Sequence, residues 1–218
     1  MDYGSIDVDY ATHLATIPEA DDGPIWMVNF MRYKKAADYG AEGGEEISGK
    51  EADDRYNPTE VLDRIGADVA FFGDVQGPEG EPDPDWDRMA IVRYPTRRSF
   101  IEMQSRPDFK EKRVHKDAGM EFSIIMCSLP TGPVLGEPDG GGIVYFIAYP
   151  AGSAGADRSK DGAHFVVEGT IIGDERRWSE LVITWSDPDD QLPEGTMVVR
   201  STSVIDQLRP LVDDSLAR

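Results

Sequence analysis

The chain has 218 residues, enough for one large domain or two small ones, and 39% of them are hydrophobic, with 8 Phe, 8 Tyr and 4 Trp. That is the composition of a globular protein rather than a disordered one. A net charge of −20, from 42 acidic against 22 basic residues, repels phosphate backbones and anionic lipid and argues against nucleic-acid and membrane-surface roles.

The first 23 residues have neither a basic start nor an apolar run, so no secretory signal is expected. A short helix is expected around Tyr10–Ile17, then a turn at Asp21-Asp22-Gly23-Pro24. Residues 25–33 (IWMVNFMRY) form the first predicted strand. The glycine-rich, acidic stretch 34–49 is expected to be a loop. Ser48 with Glu51 has the spacing of a capping box and opens a helix whose apolar side is Val61, Leu62 and Ile65. Pro58 interrupts that helix and Gly66 ends it.

Strands follow at 69–77 and 86–95, joined by the acidic connection PEGEPDPD. Thr96 caps a helix carrying Phe100, Ile101 and Met103, interrupted at Arg106-Pro107. The helix resumes through Phe109, Val114 and Ala118, and FSIIMC at 122–127 is the fourth strand. Strand, helix, strand, strand, helix, strand is the ferredoxin-like order.

After the linker come four more strand-like runs: IVYFIAYP, FVVEGTIIG, WSELVITWSDP and TMVVRSTSV. Gly73 and Trp86 of the first set correspond to Gly169 and Trp178 of the second. Little helix is expected here beyond Val204–Leu216, where Pro210 argues for a bend. The fold class expected is α+β, with two ferredoxin-like βαββαβ halves, the second degenerate, pairing their sheets into one barrel. The division is an N-terminal extension at 1–24, a first half at 25–130, a linker at 131–142 and a second half at 143–218.

The motifs DGPIWMVNFMRYKKAADY, SGKEADDRYN, GADVAFFGDVQG and WDRMAIVRYPTRRSFIEMQSRPDFKEKRVHKDAGMEFS carry a resemblance. From about residue 22 to 130 the chain resembles the bacterial family called domain of unknown function 1330. The resemblance implies a dimeric α/β barrel, in which two ferredoxin-like sheets pack face to face. The wider superfamily holds cofactor-free monooxygenases, muconolactone-type isomerases, polyketide cyclases and haem enzymes. Residues after about 140 depart from the family pattern, so the barrel closes either within one chain, as a monomeric pseudo-dimer, or between two chains of a homodimer.

Strand alternation sorts candidate site residues. Met27, Asn29 and Met31 share a face, and we group them with Phe72, Asp74 and Gln76 and with Met89, Ile91 and Arg93 as the lining of a barrel cavity. Val28, Phe30, Phe71, Val92 and Tyr94 are then expected under the helices. Within the cavity, Arg93 would bind an anion, Asp74 would act as a general base beside it, and Asn29 would polarise a carbonyl. Met31, Phe72 and Ile91 would hold the apolar part of the substrate. His115 stands on a charged helix near the barrel mouth. The corresponding second-half set is Tyr145 or Phe146, Glu168 with Thr170, and Trp185 in the place of Arg93, with His164 at the start of the strand that carries Glu168. His164 and Glu168 are roughly 13 Å apart along a strand and cannot chelate one metal unaided.

No metal-binding spacing is present: there is no HxxxH, HExxH or CxxC. Haem would need His115 or His164, and neither has a distinctive setting. A lone Cys127 in an apolar strand is expected to be a packed thiol in a reducing cytoplasm. The leading functional expectation is a cofactor-independent isomerase, lyase or cyclase that moves a proton on a small, partly apolar molecule. The alternatives are a non-catalytic metabolite-binding or accessory protein, and a haem-dependent enzyme.

Overall fold

A computed structural model describes residues 3–43, 45–77, 85–137, 142–189 and 191–217. The chain is a mixed α+β protein built on a curled antiparallel sheet. In chain order the elements are β1 (Ser5–Ile6), α1 (Val8–Thr16), β2 (Ile25–Tyr33), α2 (Gly49–Tyr56), α3 (Thr59–Ile65), β3 (Asp68–Asp74) and β4 (Arg88–Tyr94). There follow α4 (Arg97–Met103), α5 (Pro107–Gly119), β5 (Met120–Pro130), β6 (Ile143–Pro150), β7 (Ala163–Gly173), β8 (Trp178–Thr184), β9 (Met197–Thr202), β10 (Ile205–Asp206) and α6 (Leu208–Leu216). Most of the acidic connection PEGEPDPD, together with Gly44, Gly140 and Gly141, lies outside the described residues.

Local chemistry sets the helix boundaries. Ser48 and Glu51 form the reciprocal capping box that opens α2, and Thr96 with Ser99 does the same for α4. Pro58 separates α2 from α3, Gly66 ends α3 in the left-handed conformation at φ 69°, and Pro107 is the first residue of α5. The expected loop before Ser48 contains one 3-10 turn at Gly40–Glu42. Pro210 sits in the first turn of α6, where a missing backbone N–H costs little, so the helix starts there instead of bending.

The sheet order is β10-β3-β4-β2-β5-β7-β8-β6-β9, with β1 on β7. Residues 25–130 supply the run β3-β4-β2-β5, and residues 143–202 supply β7-β8-β6-β9 in the corresponding order, joined where β5 pairs β7. Each run makes up about half of the curled sheet. At the far side the edges meet again: Val75 bridges Ser201, Gln76 N–H donates to Arg200 O at 2.9 Å, and β10 pairs β3.

Two buried layers flank this wall. Between the sheet halves lie Trp26, Phe30, Phe71, Phe146 and Phe165, each 0–2% exposed. Ring centroids are 5.3 Å apart for Trp26 and Phe165, 6.3 Å for Phe30 and Phe146, and 5.0 Å for Phe71 and Phe146. The interior is a filled aromatic core. Under α2 to α5, on the outer face of the first half, lie Met27, Met31, Leu62, Phe100, Met103 and Phe109.

This corrects the expected faces. Val28, Phe30 and Phe71 point to the inner side of the curled sheet, not under the helices, whereas Val92 and Tyr94 do lie on the helix side. Cross-strand partners explain why: Asn29 faces Ala90 and Phe30 faces Met89. The face of β2 bearing Asn29 is therefore the helix face of β4, and Met89 and Ile91 belong to the other side. A bulge at Ala70 shifts the register of β3 by one residue, which alternation alone does not reveal.

Gly73 closes the wall. A Cβ there would overlap the backbone carbonyl of Thr202, whereas a Cβ on Gly169 would meet the ring of Tyr10. Gly73→Ala is expected to cost about 3 kcal/mol in urea unfolding, as overpacking against rigid backbone does. Gly132→Ala, which faces open space, is expected to stay within about 0.5 kcal/mol of the parent.

Candidate functional site

The site lies on the helix side of the first half. Gly49 in α2 and Gly119 in α5 have no side chains, and their backbones touch: a Cβ on either would overlap the carbonyl of the other. This contact draws Asp53 and Tyr56 of α2 towards Lys116, one turn before Gly119. Pro58 then ends α2 early, and the gap before α3 is a mouth lined by Asn57, Pro58 and Thr59.

Two clefts open beneath. One of about 340 Å³ is lined by Met31, Phe72, Ala90 and Val92 of the sheet and Leu62 of α3. The other, about 310 Å³, is lined by Met27, Phe100, Met103, Ile125 and Ile171. Asn29, Tyr56, Tyr94 and Lys116 line both. They form a polar waist between two apolar lobes, the usual make-up of a small-molecule site.

Arg88 walls the larger cleft. It is 4% exposed and lies over the Phe72 ring at 4.7 Å and the Tyr33 ring at 5.6 Å. Its Nη1 donates to Asp54 at 2.7 Å and Asp53 at 3.2 Å, and its Nε donates to Asp74 at 2.9 Å. Tyr33 OH donates to Asp53 at 2.5 Å, and Lys50 Nζ to Asp74 at 2.6 Å. Burial pushes the Asp74 carboxyl up, but the hydrogen bonds from Lys50 and Arg88 outweigh it and hold its pKa below the ordinary value. A carboxylate held that firmly is a poor base near neutral pH.

Lys116 is different. Its ammonium sits over the Tyr56 ring, 5.3 Å from the centroid. Among the described residues no carboxylate is within ion-pair distance. Burial lowers its pKa, and the attraction of Asp53 and Asp117 does not restore it. Burial raises Tyr56, with Tyr94 and Asp53 adding to the effect, and burial alone raises Tyr94, so both remain phenols. Asn29 donates to Met27 O at 3.0 Å and Ala90 O at 3.4 Å, which leaves its Oδ1 as an acceptor. It cannot polarise a carbonyl as expected; it can receive a hydroxyl or an ammonium.

Asn29, Met31 and Phe72 line one cleft, but on the helix side of the sheet and not in the barrel cavity expected for them, and Asp74 reaches it through Arg88. The other expected residues lie elsewhere. Ile91 is fully buried in the aromatic core. Arg93 does not meet Asp74: it binds Asp68 at 2.7 Å and Asp214 of α6 at 2.6 Å, and so holds α6 across the barrel end. His115 pairs with Tyr39 OH at 2.9 Å and pins the loop before α2. Glu168 is held by Arg97, by Tyr10 OH at 2.8 Å and by a distant contact from Cys127, whose thiol burial pushes up to about 12. His164 lines a separate hollow of about 400 Å³ on the second half, its Nε2 3.0 Å from Lys160 O. Trp185 is a core residue whose Nε1 donates to Asp206 at 2.9 Å. Among the described residues no group of three or more His, Cys, Asp or Glu side chains is arranged to hold a metal ion, and no helix is long and apolar enough to cross a membrane.

No family model matches the chain, and no curated protein does. Similar solved structures include two of RPA0582 from Rhodopseudomonas palustris, itself a protein of unknown function. The first is 27% identical and covers 61% of this chain and 100% of the other, with a TM-score of 0.49. The methylated form is 29% identical over 65% of this chain and 99% of the other, with a TM-score of 0.47. At those scores the likeness settles neither fold nor activity.

Sequence reasoning missed Arg88 and Lys116. A signal for Lys116 exists: Phe109, Arg113 and Lys116 recur at the spacing of one helical face, and Phe109 is buried. Val114, expected to be apolar and packed, is 52% exposed. Arg88→Met should cost about 3–5 kcal/mol in urea unfolding, because Asp53 is left buried without its partner. Arg93→Met, whose carboxylate partners are nearly half exposed, should cost no more than about 2 kcal/mol.

Proposed function

We propose that this chain is a cofactor-independent enzyme that moves a proton on a small, partly apolar organic molecule held between the first-half helices and the sheet. The observation that carries the reading is Lys116, which among the described residues has no carboxylate within ion-pair distance and stands where two apolar lobes meet. Its lowered pKa favours the free amine, the form a general base needs. The phenols of Tyr56 and Tyr94 can donate hydrogen bonds to an oxygen that gains charge, and Asn29 Oδ1 orients a donor. Isomerisation, elimination or cyclisation beside a carbonyl fits these roles.

The same reading takes the chain to be two ferredoxin-like halves fused into a monomeric pseudo-dimer, with residues 22–130 allied to the domain of unknown function 1330 family. The order β3-β4-β2-β5, matched by β7-β8-β6-β9, supports it. Only the first half keeps the helices that roof a cleft. A non-catalytic binder is the second reading, favoured by how fully the Arg88 cluster is paired.

The test is solvent exchange. Small ketones, oxo acids and phenols are screened by thermal shift, and binders are followed by NMR in deuterium oxide. The expected result is loss of a carbon-bound proton next to the ligand's carbonyl, at a rate that rises with pH through the lowered Lys116 value. Lys116→Met should bind the ligand but exchange at least about a hundredfold slower, the usual share of a general base. Binding without exchange would favour the binder, and exchange unaltered in Lys116→Met would refute the assignment.

A further inference from the structure

We propose that Lys116 is a nucleophile that forms an imine with its ligand, so that the substrate class is small apolar aldehydes and ketones. This rests on the proposed site and names what enters it. The geometry sets Lys116 apart from lysines whose charge is fixed: Lys50 donates to Asp74 at 2.6 Å and Lys160 to Asp189 at 2.5 Å. Asp53, which draws on Lys116 electrostatically, is already engaged by Arg88 and Tyr33. Asp117 is engaged by Arg113 at 3.3 Å, and Arg113 in turn opposes a charge on Lys116. Lys116 Nζ lies 5.3 Å from the Tyr56 ring centroid and, among the described residues, has no carboxylate within ion-pair distance.

The two lobes match a carbonyl carbon with two apolar arms. One arm enters the cleft of Met31, Phe72 and Val92, and the other enters the cleft of Met27, Phe100 and Met103. Arg88 offers no free anchor for a carboxylate, since it is taken up by Asp53, Asp54 and Asp74. A neutral carbonyl at the waist meets the Lys116 amine and two phenols.

The step balances without a redox partner. The Lys116 Nζ lone pair forms a bond to the carbonyl carbon, and the π pair moves to oxygen, which takes a proton to give a carbinolamine. Nitrogen gives up one proton, oxygen takes another from a phenol or solvent, the C–O bond breaks as the nitrogen lone pair forms C=N, water leaves, and the iminium returns its second proton to that phenol or to solvent. Amine and carbonyl thus become imine and water, and hydrolysis returns both. The protonated imine makes the neighbouring C–H more acidic, and that proton passes to water, so on this route Lys116 activates the substrate instead of serving as the base.

The test is reductive trapping. The full chain is treated with benzylacetone and sodium cyanoborohydride near neutral pH, and the adduct is located by peptide mass spectrometry. Lys116 stands at the waist of the clefts without a carboxylate in ion-pair distance, whereas Lys50 and Lys160 are paired. Lys116 should therefore be modified several-fold faster than Lys50 and Lys160, and the adduct should be absent from Lys116→Arg. Labelling spread evenly over the lysines would overturn the proposal, and this readout on the parent chain stands even where the variant fails to fold. Benzylacetone that raises the Tm of both proteins without leaving an adduct would overturn the imine alone and leave the proton-transfer reading standing.

Discussion

Everything else in this molecule is arranged around the aromatic packing between the two sheet halves. Trp26, Phe30 and Phe71 from one half interlock with Phe146 and Phe165 from the other. Each aromatic pair contributes about 0.5–1.5 kcal/mol beyond the area it buries. A wall that curls round such a core spends its interior on stability. Space for a ligand then has to come from the outer face, and only the first half carries the helices that can roof it.

That roof is held by charge as much as by apolar contact. Arg88 reaches from β4 into three carboxylates on α2 and β3, while Tyr33 satisfies the remaining demand of Asp53. Two cations, Arg88 and Lys50, meet three anions, Asp53, Asp54 and Asp74, so one negative charge is left over nearby. Lys116 sits close enough to feel it and too far to pair with it. The same network that ties α2 to the sheet therefore keeps an amine near the clefts without neutralising it. Glu168 does comparable work at the other seam, joining β7 to α1 and α4 through Tyr10 and Arg97.

Much of the frame was legible in the sequence because local chemistry decides it. The capping boxes at Ser48 and Thr96, the break at Pro58 and the left-handed Gly66 each act within a few residues. The extents of β2 and β6 follow from uninterrupted apolar runs. The faces were harder. β2 is buried on both sides, so its polarity does not tell inside from outside. The bulge at Ala70 then turns Phe71 inward with no mark in the pattern. The site was hidden for a related reason: in KRVHKDAG every charged residue looks solvated, and only the Gly49–Gly119 contact brings Lys116 under cover. Arg93 and Arg88 are equally plausible as strand arginines, and α6 and α2, distant in sequence, decide which one reaches a cleft.

The central claim is that ligands enter beside Lys116 and not between the sheets. The most direct measurement is a crystal structure of the protein soaked with small ketone and phenol fragments. The account predicts fragment density at the waist bounded by Asn29, Tyr56, Tyr94 and Lys116, with the ring positions of Phe30, Phe71 and Phe146 unchanged. Fragment density among those rings, with the waist empty, would contradict it.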